Sequence, residues 1–97
     1  MGTQKRAQPE LLAAKLLHIR KRLGLSQPQM LRALELKPGH GVGRISEYER
    51  GVREPNLIVL LQYARAARIS TDTLIDDCIE VDALKIKRRL DRGHLPQ

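Results

Sequence analysis

Residues 37–43 constrain the fold of this 97-residue chain most strongly, because they read Lys-Pro-Gly-His-Gly-Val-Gly. Three glycines and a proline within seven residues predict an irregular turn. Apolar residues at helical spacing lie on both sides of it, and they predict one helix that closes near Glu35 and another over residues 44–50. The inward side chains of these two helices are Met30, Leu31, Leu34, Ile45 and Tyr48. The sequence therefore predicts a short helix, a turn and a second short helix.

A longer helix is predicted before this unit. Pro9 suits its first turn, Glu10 suits its positive N-terminal end, and Gly24 suits the position that follows its last residue. Its inward side chains recur at spacings of four, three and four residues. They are Leu12, Leu16, Ile19 and Leu23. Ser26 is a good N-cap for the next helix, and Pro28 fits the opening turn of that helix.

Two further helices are predicted after Gly51, which stops the helix over residues 44–50. Asn56 can cap the first of them, and Ser70 or Thr71 can cap the second. Their inward side chains are Leu57, Leu60, Leu61, Ala64, Leu74 and Ile75. From Glu80 onward a weak helical period predicts an amphipathic segment. Its apolar side is Val81, Leu84 and Leu90, and its basic side is Lys85, Arg88, Arg89 and Arg92. No alternation typical of strands is present, so the predicted class is all-α.

Composition narrows the range of functions. The chain has 18 Lys+Arg against 11 Asp+Glu, a formal net charge of +7, and the excess lies near its two ends. Such a charge favours a polyanionic partner such as nucleic acid, although it also serves solubility alone. With two Tyr and no Trp or Phe, aromatic platforms for single-stranded nucleic acid are nearly absent. No apolar run reaches the ~20 residues of a membrane helix, so no membrane partner is expected.

Cysteine, histidine and glycine patterns favour neither an enzyme nor a cofactor site. The single cysteine, Cys78, predicts a small packed side chain and a reducing compartment, so we expect a cytoplasmic protein. The three histidines lie far apart and no cysteine cluster accompanies them, which predicts no metal site. The glycine-rich stretch lacks the Gly-Lys-Ser/Thr ending of a nucleotide-binding loop. No nucleophile lies beside a plausible base, so no catalytic residue and no cofactor are expected.

An ordered series of motifs resembles the helix-turn-helix domain of the Cro/C1 (XRE) repressor family. The series is Leu25-Ser26-Gln27, then Ile45-Ser46-Glu47-Tyr48-Glu49-Arg50-Gly51, then Arg53-Glu54-Pro55 and Leu57, Leu60 and Leu61. The likeness covers about residues 15–77. It implies a compact five-helix, lambda-repressor-like domain that binds double-stranded DNA and regulates transcription, as a repressor. It also implies a homodimer on a partly palindromic operator, with a recognition helix near residues 42–50 in the major groove.

The resemblance assigns base contacts to the start of the recognition helix, at Val42, Gly43, Arg44 and Glu47. The turn before this helix is longer than is usual in the family. Val42 and Gly43 offer no side-chain hydrogen bond, which leaves Arg44 as the main candidate. An arginine can bind guanine O6 and N7 together, for roughly 1–3 kcal/mol of discrimination. Glu47 has two alternative roles: it accepts a hydrogen bond from a cytosine amino group, or it orients Arg44.

Phosphate contacts and one structural ion pair are also implied by the resemblance. Polar and basic side chains at the starts of both short helices, in the turn and after the recognition helix would hold the DNA backbone. They are Ser26, Gln27, Lys37, His40, Ser46, Arg50 and Arg53. Arg20 and Glu49 correspond to a pair that ties the first helix to the third.

The predicted organisation has three parts: a flexible N-terminus over 1–8, the helix-turn-helix domain over 9–79, and a basic tail over 80–97. An alternative function is a protein-interaction module, such as an antitoxin or an adaptor. Its partner would then bind the apolar side of the tail. If the protein is a dimer, family analogy places the interface on the fifth helix around Leu74, Ile75 and Cys78.

Overall fold

The structure is a computed structural model that describes residues 9–36 and 41–86. Within these ranges the chain forms five α-helices and one 3-10 turn, and it has no strand. The helices are α1 (Leu12–Leu23), α2 (Gln27–Ala33), α3 (Val42–Arg50), α4 (Leu57–Ala67) and α5 (Thr71–Ile75), and the 3-10 turn is Val81–Ala83. Helix α1 packs against α3, α4, α5 and the 3-10 turn, and α2 packs against α3. The predicted all-α class is therefore confirmed.

The inward stripe and the C-terminal end of α1 follow the sequence pattern. Its four predicted core residues are all buried: Leu12, Leu16, Ile19 and Leu23. Gly24 ends the helix in the left-handed conformation with φ 73°, and its N–H donates to the carbonyls of Arg20 and Lys21. A residue with a Cβ adopts this conformation only at a cost, so glycine suits the position.

The predicted start of α1 is wrong. Pro9 lies outside the helix, which begins at Leu12 with Leu11 at the N-cap position and no local side-chain cap. A distant carboxylate replaces the local cap. The two oxygens of Asp77 accept hydrogen bonds from the backbone N–H groups of Glu10 (2.9 Å) and Leu11 (3.0 Å). These hydrogen bonds lower the pKa of Asp77, and they fix the chain just before the helix.

A buried lysine connects the same part of α1 to the end of α5. The Lys15 ammonium donates to the backbone carbonyls of Thr73 (2.7 Å) and Asp76 (2.8 Å), and the residue is 0% exposed. These carbonyls lie in and just after the last turn of α5, where the helix offers no further N–H; the Asp76 carbonyl also accepts from the N–H of Ile79 at 3.0 Å. Lys15 therefore supplies hydrogen bonds to carbonyls at the C-terminal end of α5, while Asp77 accepts hydrogen bonds from the N–H groups just before α1.

Helix α4 is turned differently from the prediction. Leu60 and Ala64 are buried as expected, but Leu57 is 81% exposed and Leu61 is 36% exposed. The remaining core residues of the helix are Val59, Tyr63 and Ala67. Apolar residues occupy every position of 57–61, so the spacing alone does not identify the inward side. The Asn56 cap is confirmed, because its Oδ1 accepts from the N–H of Val59 at 2.9 Å.

The segment after α5 differs from the prediction in two ways. Cys78 is exposed and is therefore not a packed core residue. Between Glu80 and Ile86, where the described residues end, the predicted helical period yields a 3-10 turn, and extended backbone follows it at Leu84. Leu84 and Ile86 are nevertheless buried in the core. The division of the chain at residue 79 remains a prediction, and Leu90 with the basic residues after Ile86 lies outside the described residues, as does 1–8.

Two tyrosines meet in the core with an unsatisfied hydroxyl. Tyr63 is 0% exposed, and its ring meets that of Tyr48 edge to face with centroids 6.5 Å apart. Among the residues that the structure describes, none bonds to the Tyr63 hydroxyl. Burial, with smaller contributions from Glu49 and Tyr48, raises the pKa of Tyr63 above its ordinary value of 10.0.

Replacement of Tyr63 by Phe is expected to leave stability unchanged or to raise it by up to about 1 kcal/mol near pH 7, because a desolvated hydroxyl is removed. The phenol loses its proton more readily in the unfolded chain. Wild-type stability therefore falls as the pH rises above about 10, and the contribution of Tyr63 to this fall is absent in the variant. Urea unfolding near pH 7 and near pH 11 measures both effects. A clear loss of stability near pH 7 would contradict the assignment.

Candidate nucleic-acid interface

Helix α2 begins with a complete capping box. The Ser26 hydroxyl accepts from the N–H of Gln29 at 3.2 Å, and the Gln29 side chain accepts from the N–H of Ser26 at 2.8 Å. Pro28 lies in the opening turn, as predicted. The helix ends at Ala33 rather than near Glu35, which has a left-handed φ of 53°. The predicted core residues Met30 and Leu34 are both buried, with Leu31 partly buried beside them.

Helix α3 begins two residues earlier than the start at Arg44 that the apolar spacing predicts, and its bounds agree with the recognition helix near residues 42–50 that the family resemblance implies. Gly41 is the N-cap with extended backbone, so Val42 and Gly43 belong to the first turn of α3 and not to the irregular stretch. Ile45 and Tyr48 are 0% and 3% exposed, and α3 packs on both α1 and α2. This packing stabilises the first turn of α3, although Gly43 has a low helix propensity. A Cβ added at Gly43 would meet no heavy atom within 4 Å, so open space surrounds this position.

The exposed side of α3 carries alternating charge. The Arg44 Nε lies 3.7 Å from Glu47 Oε1, and the Arg53 Nε donates to the same oxygen at 2.7 Å. The hydrogen bond from Arg53 holds the pKa of Glu47 below its usual value, with further lowering by the charges of Arg53, Arg44 and Arg50. The Arg50 Nε donates to the Ser46 hydroxyl at 3.0 Å, one turn back along the helix. Five of the candidate DNA-contacting residues, Arg44, Ser46, Glu47, Arg50 and Arg53, therefore pair among themselves.

A second, largely buried cluster connects α1, α2 and α3. Arg20 of α1 donates to both carboxylate oxygens of Glu49 in α3, from Nε at 2.6 Å and Nη2 at 3.0 Å. Its Nη1 also donates to the Leu25 carbonyl at 3.0 Å. Only 5% of the Glu49 side chain is exposed, and its carboxylate raises the pKa of Arg20. Gln27 at the start of α2 donates to Glu49 Oε1 at 3.2 Å.

The structure places most of the sequence-predicted site residues along one continuous unit. The N-terminal residues of α2, the exposed side of α3 and the segment after α3 all belong to it. Its members with described positions are Ser26, Gln27, Val42, Gly43, Arg44, Ser46, Glu47, Arg50 and Arg53. Lys37 and His40 lie outside the described residues.

Sequence reasoning missed three contacts. The pairing of Glu47 with Arg53 was not predicted, because Arg53 follows the helix and its direction depends on the turn at Gly51, where φ is 77°. The hydrogen bonds of Lys15 and of Asp77 were also missed, since each joins residues 58 to 67 positions apart in the sequence. A polar lysine between Leu12 and Leu16 on the inward side of a predicted helix was the one available signal.

The comparison with protein families agrees with this geometry. A helix-turn-helix family model matches residues 16–74, which extend from α1 into α5. The chain therefore belongs to the Cro/C1-type (XRE) helix-turn-helix family, a family of DNA-binding transcription regulators. Comparisons with curated proteins and with solved structures gave no match. No helix within 9–36 or 41–86 combines the length and the apolarity needed to cross a membrane.

Proposed function

We propose that this chain is a sequence-specific repressor that binds double-stranded DNA with α3 in the major groove. One observation carries the proposal. The exposed side of α3 presents Arg44 and Glu47 from its first two turns, while Ile45 and Tyr48 anchor the other side in the core. A short helix held rigidly by its apolar side and polar on its free side is the arrangement that base reading requires. Arg44 is the residue that can bind a guanine through two hydrogen bonds.

Affinity would come from contacts with phosphates on either side of this helix. Arg50 and Arg53 supply cations at the end of α3, and Ser26 and Gln27 lie at the start of α2. Gln27 already donates one hydrogen bond to Glu49, which fixes its side chain and leaves its second N–H for a phosphate. Ser46, Lys37 and His40 complete the proposed set. The role requires no cofactor, metal or catalytic residue, and it places the protein in the compartment that contains the DNA.

A homodimer is part of the proposal, because one domain of this size covers few base pairs. Two copies would bind half-sites about 34 Å apart, one turn of the duplex. The interface predicted on α5 needs one correction: Leu74 is 0% exposed and belongs to the core, so only Ile75 and Cys78 remain accessible there.

The alternative function, partner binding through the tail, loses part of its basis. Leu84 is 7% exposed and packs in the core, so it is not available to a partner groove. Truncation after residue 79 would also remove the buried Ile86 and would therefore destabilise the domain. Within residues 80–86, the part of the tail that the structure describes, no observation favours partner binding over DNA binding by α3.

Selection of bound duplexes from a random DNA pool, run with wild type and with Arg44→Ala, tests the proposal. Wild type is expected to enrich one motif, of two-fold symmetry if the protein binds as a dimer. The variant is expected to lose discrimination at one base pair of each half-site, by roughly 1–3 kcal/mol. Arg65→Ala is the matched control, because Arg65 is exposed on α4, outside the proposed interface. Binding without any motif, and lost at modest salt, would refute sequence-specific recognition.

A further inference from the structure

We propose that Glu47 sets the sequence selectivity of this chain by restraining Arg44 and Arg53, which would otherwise bind phosphates of any duplex. The inference rests on the proposed function, since it concerns how the same surface discriminates between DNA sequences. It makes Glu47 a positioning residue that acts through two arginines, rather than a residue that reads a base.

One carboxylate oxygen connects the two arginines. Glu47 Oε1 accepts from the Arg53 Nε at 2.7 Å and lies 3.7 Å from the Arg44 Nε. Arg44 belongs to the preceding turn of α3, whereas Arg53 follows the C-terminal end of the helix. Glu47 therefore joins the proposed base-reading residue to a proposed phosphate contact.

The same geometry argues against direct base reading by Glu47. One of the two carboxylate oxygens, Oε1, already accepts a charge-assisted hydrogen bond from Arg53, which leaves Oε2 alone to accept from a cytosine amino group and restrains the direction of the side chain. The neighbouring arginines also favour the ionised carboxylate, which approaching phosphates repel. A negative charge on the DNA-facing side therefore weakens binding to every sequence equally, unless the arginines gain better partners than Glu47.

Partial exposure makes the restraint reversible. The side chains of Arg44, Glu47 and Arg53 are 33%, 35% and 48% exposed, so these ion pairs can exchange with DNA. On an unrelated sequence, each arginine exchanges the Glu47 carboxylate for a phosphate, and the binding free energy changes little. On the correct sequence, Arg44 gains two hydrogen bonds to a guanine, and the exchange becomes favourable. Selectivity then arises because every duplex must break the ion pairs of Glu47, and only the correct sequence compensates for this cost in free energy.

Glu47→Gln tests the inference, because it keeps the size of the side chain and removes its charge. Glu80→Gln is the matched control, since it makes the same change on an exposed residue after α5. Affinities for the selected motif and for an unrelated duplex are measured over a range of salt concentrations. The unrelated duplex is expected to bind Glu47→Gln roughly two- to fivefold more tightly, the amount that an exposed ion pair contributes. The slope of log affinity against log salt should steepen by about 0.9 per arginine released.

Three outcomes would overturn the inference. Equal behaviour of Glu47→Gln, the control and wild type would show that the carboxylate restrains nothing. A loss of discrimination at one base pair, with unchanged affinity for the unrelated duplex, would show direct base reading. A gain that persists in full in an Arg53→Ala background would show that Glu47 does not act through Arg53. If wild type selects no motif, the proposed function itself fails and the selectivity role falls with it, a result distinguishable from the other three.

Discussion

Glu49→Gln is expected to lower the free energy of unfolding by about 3 kcal/mol, because it leaves the Arg20 guanidinium without its anionic partner in a largely buried place. The wild-type pair has two short hydrogen bonds, at 2.6 and 3.0 Å, and the Glu49 side chain is only 5% exposed. The total free energy of unfolding of a small domain is about 5–15 kcal/mol, so this loss would be a large fraction of it. Urea denaturation followed by circular dichroism measures it.

Glu47→Gln provides the matched control for this experiment. It makes the same substitution in the same helix, but on a carboxylate whose arginine partners are exposed to solvent. Its effect on unfolding should be much smaller, because water replaces the lost interaction. A second control replaces both partners, Arg20→Met with Glu49→Leu, and should recover much of the loss since no unpaired charge remains. Equal effects of the two single glutamine variants would contradict the role assigned to the Arg20–Glu49 pair.

The position of Glu49 also relates stability to the proposed DNA contacts. Glu49 accepts from Gln27 at the start of α2 and from Arg20 in α1, while it belongs to α3 itself. A single carboxylate thus holds α1, α2 and α3 in one arrangement. In Glu49→Gln, DNA affinity is therefore expected to fall along with stability, without the loss of discrimination at one base pair that Arg44→Ala should produce.

Local signals in the sequence were sufficient for the helix count and for most helix ends. The stripe of α1, the Ser26 and Asn56 caps and the left-handed Gly24 depend only on neighbours in the sequence. Errors arose where the deciding contact is distant. The start of α1 depends on hydrogen bonds to Asp77. Asp77 is distant in the sequence, so the residues around the start of α1 do not predict this contact.

The side of each helix that faces the core, and the direction of its polar side chains, were harder to predict than the helices themselves. Leu57 and Leu61 are as apolar as Leu60, and only packing against the rest of the domain decides which of them faces inward. The same limit applies to the site. The residues of the candidate interface could be named from the family resemblance, and a contact between Glu47 and Arg44 was one of two alternatives for Glu47. The hydrogen bond from Arg53 to Glu47 could not be predicted, because the direction of Arg53 depends on the turn that follows α3.

Lys15→Met is expected to lower the free energy of unfolding by about 1–3 kcal/mol, because the Thr73 carbonyl loses its donor inside the domain, while the Asp76 carbonyl keeps only its hydrogen bond from the N–H of Ile79. The Lys15 ammonium donates to Thr73 at 2.7 Å and to Asp76 at 2.8 Å, and the methionine side chain fills similar space without a donor. The hydrogen bonds that the variant lacks lie at the end of α5, so α5 should unfold locally more often than the other helices. Hydrogen exchange is expected to accelerate in the backbone amides of α5 before those of α1.

Lys21→Met is the matched control, since Lys21 is an exposed lysine of the same helix and its replacement should change stability by less than about 0.5 kcal/mol. Equal losses in the two variants would show that charge in α1, and not the hydrogen bonds of Lys15, determines the effect. If Lys15→Met destabilises the domain but leaves exchange in α5 unchanged relative to α1, then Lys15 does not hold the end of α5. Faster exchange confined to α5 would establish that a buried lysine of α1 anchors α5, through a hydrogen bond between residues 58 positions apart.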